Sequence, residues 1–220
     1  MIMEYIIFIP AILMSIIIHE VSHGYAAFML GDDTAKRAGR LNFNPLKHID
    51  TFGTIILPVL LLITTRGGLA FGYAKPVPIN PYNFKDYKKD TAITAAAGPL
   101  SNFVIAVVLS LILRMVINST DPLTQLSQTQ FLLLKSIYNI IFINLFLGLF
   151  NLIPFPPLDG SKVLGAFLSD EMYFKYTAQE KKGMMIFMFI ILASYVFNLN
   201  LIGGVILPPI RFVMKILTGI

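Results

Sequence analysis

Residues Tyr5–Leu30 form a 26-residue apolar run long enough to cross a bilayer as a helix, yet His19, Glu20 and His23 sit past its midpoint. A segment crossing lipid must satisfy its own backbone hydrogen bonds, which leaves this run little choice but a helix. Ionisable side chains in such a setting cost on the order of several kcal/mol, so they mark function by default. In His19-Glu20-Val21-Ser22-His23 the two histidines are four residues apart. On a helix that places them on one face, where both can bind one Zn²⁺. Glu20 falls on the neighbouring sector, from which its carboxylate reaches a metal-held water without being a ligand. The chain has three histidines and four glutamates, and this pentad takes two of the first and one of the second. Chance clustering is a poor account of that.

Hydrophobic residues make up 56% of the 220, and mean hydropathy is +0.74. Both fit a polytopic membrane protein better than a soluble domain. There is no cysteine, hence no disulfide and no thiolate ligand. A zinc site here must use His and carboxylate, the donor set of open catalytic centres rather than closed structural ones. The net charge of +5 is spread over loops between apolar runs. It reads as membrane orientation, and no nucleic-acid partner is expected. The N-terminus lacks the basic region of a cleaved signal peptide, so the first helix is expected to stay.

Four more apolar stretches can span a ~30 Å hydrocarbon core: Ala92–Ile117, Phe131–Ile153, about Met184–Asn198, and Leu199–Thr218. A further one, Phe52–Thr65, has 14 residues and is interrupted by Pro58, which suits a re-entrant or partly inserted segment. Lys36, Arg37, Arg40 and Lys47 precede it, and Arg66, Lys75, Lys85, Lys88 and Lys89 follow it. If it spanned, one basic loop would lie on the wrong side of the membrane. Kept as non-spanning, it leaves both loops in the cytoplasm together with Lys162, Lys175, Lys181 and Lys182. The expectation is an all-α polytopic membrane protein of five to six transmembrane helices. A short re-entrant or extended element lies between the first and second long spans. The N-terminus is outside, the C-terminus cytoplasmic, and the pentad about 10–17 Å below the cytoplasmic surface.

Two helical histidines leave zinc in need of a third protein ligand. The candidates are His48 and a carboxylate on another membrane element. Asp159 stands out in the latter class: it follows the run Phe131–Ile153 on the same side as the pentad, after Pro154, Pro156 and Pro157 have ruled out a continuous helix. Broken backbone at membrane depth is tolerated only against protein or a water-filled cavity. An ordinary turn beginning Asp-Gly is the plain alternative. His48, between Lys47 and Asp50, fits a cytoplasmic or interfacial loop and remains the main rival.

The pentad, Gly98-Pro99-Leu100-Ser101-Asn102, and Asn151 and Pro154 leading into Leu158-Asp159-Gly160 together resemble the site-2 protease family of intramembrane zinc metalloproteases. The three motifs cover residues 19–160 in the family's order, and 161–220 match only loosely. The resemblance implies one zinc per chain held by His19, His23 and Asp159, with Glu20 as general base. It further implies endopeptidase cleavage of membrane-protein substrates within or beside their transmembrane segments. Asn102 would help hold an oxyanion or, equally, make a helix–helix hydrogen bond beside a close Gly98 contact. Asn151 would fix the broken-helix backbone. The connection between the second and third long spans is too short for the PDZ-like domain some members carry. A compact form is therefore expected: one integral-membrane domain over 1–220, its catalytic core at about 5–160 and C-terminal helices at about 184–218.

Gly67–Asn80 shows no helical period and can form an extended edge that captures an unwound substrate by β-augmentation, or an inert loop. Gly203-Gly204 and Pro208-Pro209 are expected to break or kink the last span. Three other functions compete: a zinc-binding transporter or channel, a non-proteolytic binder of membrane helices, and another kind of membrane HExxH peptidase acting on lipidated peptides. The usual Glu ligand of the last has no match here, because Glu171 and Glu180 lie in a basic stretch. Transport would survive Glu20→Gln whereas proteolysis would not, and a binder has no use for the general base. Nothing in the pattern bears on oligomeric state.

Overall fold

A computed structural model describes residues 2–67, 72–119, 127–197, 199 and 201–219, and among them the regular structure is helical with no strand. The first helix, α1 (Ile2–Met29), stops because Gly31 turns left-handed at φ 107°. That turn lets the Asp32 N–H donate back to Ala27 O at 2.9 Å and satisfy a terminal carbonyl. A single turn, α2 (Thr34–Arg37), follows. Asp50 then caps a π-helical segment, Thr51–Ile56, by accepting from Gly53 N at 2.6 Å, and α3 (Leu57–Thr64) continues it. At roughly 1.5 Å per residue the pair is too short to cross a ~30 Å core. A short apolar element between the first two long spans was expected from the sequence, and here it is helical.

Residues 72–80 are extended without being part of a sheet. Residues 68–71 of the expected edge lie outside the described residues. The inward-facing backbone of 72–80 is pinned at alternate positions. Tyr73 N donates to Gly53 O and Lys75 N to His48 O, while Lys75 O accepts from Arg40 Nη2 at 2.7 Å. Asp32 secures the far end. It is fully buried, and its carboxylate accepts from Asn80 N and from Asn83 Nδ2, both at 2.7 Å.

The long helices are α4 (Tyr87–Ser119) and α5 (Gln128–Asn151), the latter opened by a capping box in which Ser127 and Gln130 exchange hydrogen bonds. Pro154 has no N–H to continue α5 and disfavours helical backbone at Ile153, so the helix ends. The Asn151 side chain donates to Leu147 O at 3.0 Å, within the last turn of α5. After the proline turn come α6 (Asp159–Gly165), α7 (Asp170–Thr177), α8 (Glu180–Val196) and α9 (Leu201–Thr218). α1, α4 and α5 pack against one another, α6 lies on α4, and α9 covers α4 and α5. Ala106 and Leu113 of α4, Ile141 and Leu145 of α5, and Ile206, Ile210 and Met214 of α9 form the main apolar core. Each set repeats at helical spacing, so one face of each helix is buried. The outward faces are apolar too: Val104, Val108, Leu111 and Met115 are all exposed on α4. Lipid, unlike water, leaves such a surface without penalty.

The expectation of five to six spans is met in part. Among the described residues three helices are long and apolar enough to cross a membrane: Ile6–Met29, α4 and α5. α8 has only 17 residues, and α9 carries Arg211 and Lys215 besides its prolines. The expected break in α9 takes no visible form in secondary structure, since the helix runs on through Pro208 and Pro209.

Candidate metal centre

His19 and His23 project from one face of α1 into the angle between α4 and α6. Asp159, the first residue of α6, meets them there. Asp159 Oδ2 lies 3.1 Å from His19 Nε2 and 3.3 Å from His23 Nε2, and the two imidazole nitrogens are 3.1 Å apart. The His19, His23 and Asp159 side chains are 8%, 9% and 15% exposed. Glycines make the convergence possible. A methyl added at Gly98 would lie 2.7 Å from His19 Cε1 and closer still to the His23 ring. At Gly160 it would collide with the backbone of Leu152, so only glycine lets the Asp159 turn fold back on the end of α5.

The other ring nitrogens have settled partners. His23 Nδ1 is 2.7 Å from Thr94 O, a carbonyl that can only accept, so Nδ1 carries the hydrogen. His19 Nδ1 is 2.6 Å from Asn102 Oδ1. In the neutral imidazoles both Nε2 atoms then present lone pairs. Two such lone pairs and a carboxylate on one point are the arrangement a shared cation would hold together. The spacing agrees. Tetrahedral zinc with bonds of 2.0–2.1 Å separates its ligand atoms by about 3.3 Å. The donor set and its geometry fit a divalent cation such as zinc.

Glu20 stands outside this triangle. Its Oε2 accepts the Val77 N–H at 3.0 Å, bringing the extended segment 72–80 against the pentad. Gly24 allows that approach, since a Cβ there would meet Leu41 and Val77 side chains within 2.9 Å. His48 stands apart from the triangle. Fully buried in its loop, it bonds through Nε2 to Asn42 O at 2.8 Å. Asn102 has no exposed surface, and the Nδ2 an oxyanion would need donates to Asn144 Oδ1 at 3.0 Å and Ser15 O at 3.4 Å. Sequence reasoning passed over Thr94, Val77 and Asn144. The first two contribute backbone atoms, which no side-chain pattern reveals. Asn144 did carry a signal, being an amide inside the apolar run 131–153.

Residues 7–132 and 115–195 match the sequence model of Peptidase family M50. The chain is 36% identical over 190 residues to "Putative zinc metalloprotease YwhC" of Bacillus subtilis (strain 168), covering 84% of this chain and 81% of that protein. It is 30% identical over 167 residues to "Putative zinc metalloprotease Rip2" of Mycolicibacterium smegmatis (strain ATCC 700084 / mc(2)155), covering 76% of this chain and 59% of that protein. No solved structure matches. With most of its length matched by the family and by the Bacillus relative, the chain belongs to Peptidase family M50, the site-2 protease family.

Proposed function

We propose that this protein is an intramembrane zinc metalloendopeptidase that cuts membrane proteins within or next to their transmembrane segments, with His19, His23 and Asp159 as metal ligands and Glu20 as general base. The observation that carries the reading is the convergence of His19 Nε2, His23 Nε2 and Asp159 Oδ2 within 3.3 Å, between apolar helices. Bound zinc would acidify a water and polarise the scissile carbonyl. Glu20 takes the proton of the attacking water and returns it to the departing amine. The Val77 N–H holds one Glu20 oxygen and leaves the other for that task. Thr94 and Asn102 orient the imidazoles. For Asn102, engagement of both its amide groups favours this role over direct oxyanion contact. The use of segment 72–80 as an edge for an unwound substrate belongs to the same reading, with Pro76 and Pro78 able to offer only their carbonyls.

We further propose one membrane domain over 1–220 holding a single zinc, with α8 and α9 adding to the three long spans. Basic loops on either side of α3 favour a cytoplasmic placement for them and for the C-terminus, with the N-terminus outside. The test is zinc content together with cleavage of a transmembrane peptide. Wild type should bind zinc and cleave. Glu20→Gln should bind zinc without cleaving, and Asp159→Ala should lose both. Cleavage by Glu20→Gln at the wild-type rate would refute the assignment of the base.

A further inference from the structure

We infer that Asn144, on α5, is a positioning residue of the metal centre: it fixes which way the Asn102 amide points and thereby which nitrogen of His19 faces the metal. The inference rests on His19 being a ligand. Asn144 touches neither His19 nor its partners in the triangle, and its effect passes through a chain of buried polar groups.

The chain can be read from its far end, where the chemistry is unambiguous. Asn144 Nδ2 lies 2.8 Å from Ile140 O, a backbone carbonyl and so only an acceptor. That atom must therefore be the amide NH₂, and its second hydrogen reaches Ser15 Oγ at 2.9 Å. Ser15 Oγ can accept there because its own hydrogen goes to Ala11 O at 2.9 Å. Asn144 is thus left with its oxygen towards Asn102. The Asn102 atom facing it at 3.0 Å must be a donor, and the same atom faces a second carbonyl, Ser15 O, at 3.4 Å. Asn102 Oδ1 is then the atom 2.6 Å from His19 Nδ1, which must carry the ring hydrogen. The lone pair is left on Nε2, facing Asp159 and His23. Two backbone carbonyls dictate the polarity of every group between them.

Asn102 and Asn144 have no exposed surface, and Ser15 is 3% exposed. No water competes for these groups, and a reversed amide would set NH₂ against NH₂ or oxygen against a carbonyl. Apolar packing alone would serve α5 here, so a fully paired amide inside lipid-grade sequence calls for a reason. Tautomer selection at a ligand is that reason.

The full chain in detergent or lipid nanodiscs tests this by two readouts: zinc affinity against a competing chelator, and ¹⁵N NMR of the histidine side chains in the metal-free protein. Metal-free wild type should hold His19 as the Nδ1–H tautomer. Asn144→Leu should weaken zinc binding about tenfold and admit the Nε2–H form. Adding Asn102→Asp to Asn144→Leu should recover affinity, because a carboxylate offers His19 an oxygen in either orientation. Unchanged affinity and tautomer in folded Asn144→Leu would overturn the proposal. So would finding metal-free wild-type His19 as the Nε2–H form, a result that needs no variant. If the chain bound no zinc, the peptidase reading would fail while the tautomer still reported on the relay.

Discussion

Gly98→Ala sets two effects of opposite sign against each other. Gly98 lies inside α4, and alanine is favoured over glycine in a helix interior by roughly 0.5–1 kcal/mol. If nothing were packed on it, the substitution would stabilise the protein. The structure predicts otherwise, because the new methyl carbon would sit 2.7 Å from His19 Cε1 and nearer still to His23, where ordinary contact begins at 3.4 Å. The rings must retreat by at least the 0.7 Å between those two distances. Overpacking of this kind costs about 1–3 kcal/mol, enough to cancel or outweigh the helical gain. Metal binding should suffer more than folding. Ligand positions matter at about the 0.5 Å level, so a 0.7 Å retreat leaves the triangle misplaced. Zinc affinity should fall roughly 10–100-fold, or about 1.4–2.8 kcal/mol at 1.4 kcal/mol per decade. Chelator competition measures the affinity, and thermal unfolding of the metal-free protein in detergent measures the stability. Gly98→Ala with wild-type zinc affinity and a raised melting temperature would refute the close packing of this helix on both rings.

Val77→Pro removes the N–H that Glu20 accepts at 3.0 Å, in a segment already flanked by Pro76 and Pro78. A hydrogen bond to a charged group is worth about 1.5–3 kcal/mol, so turnover should drop roughly 10–100-fold with zinc content unchanged; normal turnover would remove Val77 from the mechanism. Asp32 supplies a pH test. Burial pushes its carboxyl up, but hydrogen bonds from Thr34, Asn80 and Asn83 outweigh this and hold it below its ordinary 3.8. A carboxyl lowered on folding stabilises fully above its unfolded value and progressively less as pH falls through the folded one. Acid titration should therefore destabilise wild type more steeply below about pH 4 than it does Asp32→Asn; parallel acid limbs for the two proteins would show that Asp32 carries no such linkage.

Much was legible without coordinates wherever the determinant was local. His19 and His23 share a face because a helix repeats every 3.6 residues, and a 26-residue apolar run admits no other regular structure in lipid. The end of α5 followed equally from the missing N–H of Pro154, and the short element over 51–64 from its length. Asp159 was visible as a candidate, while His48 stayed a rival. Choosing between them depended on how α6 packs against α4 and so brings Asp159 to His19, 140 residues away, and no local periodicity encodes that distance. Tertiary structure alone tied Glu20 to the Val77 N–H and His23 to the Thr94 carbonyl, because backbone groups are the same in every residue. It also separated Asn102 from Asn144. Both are amides buried among apolar neighbours, and only their packing tells which one meets His19 and which one holds the other in place.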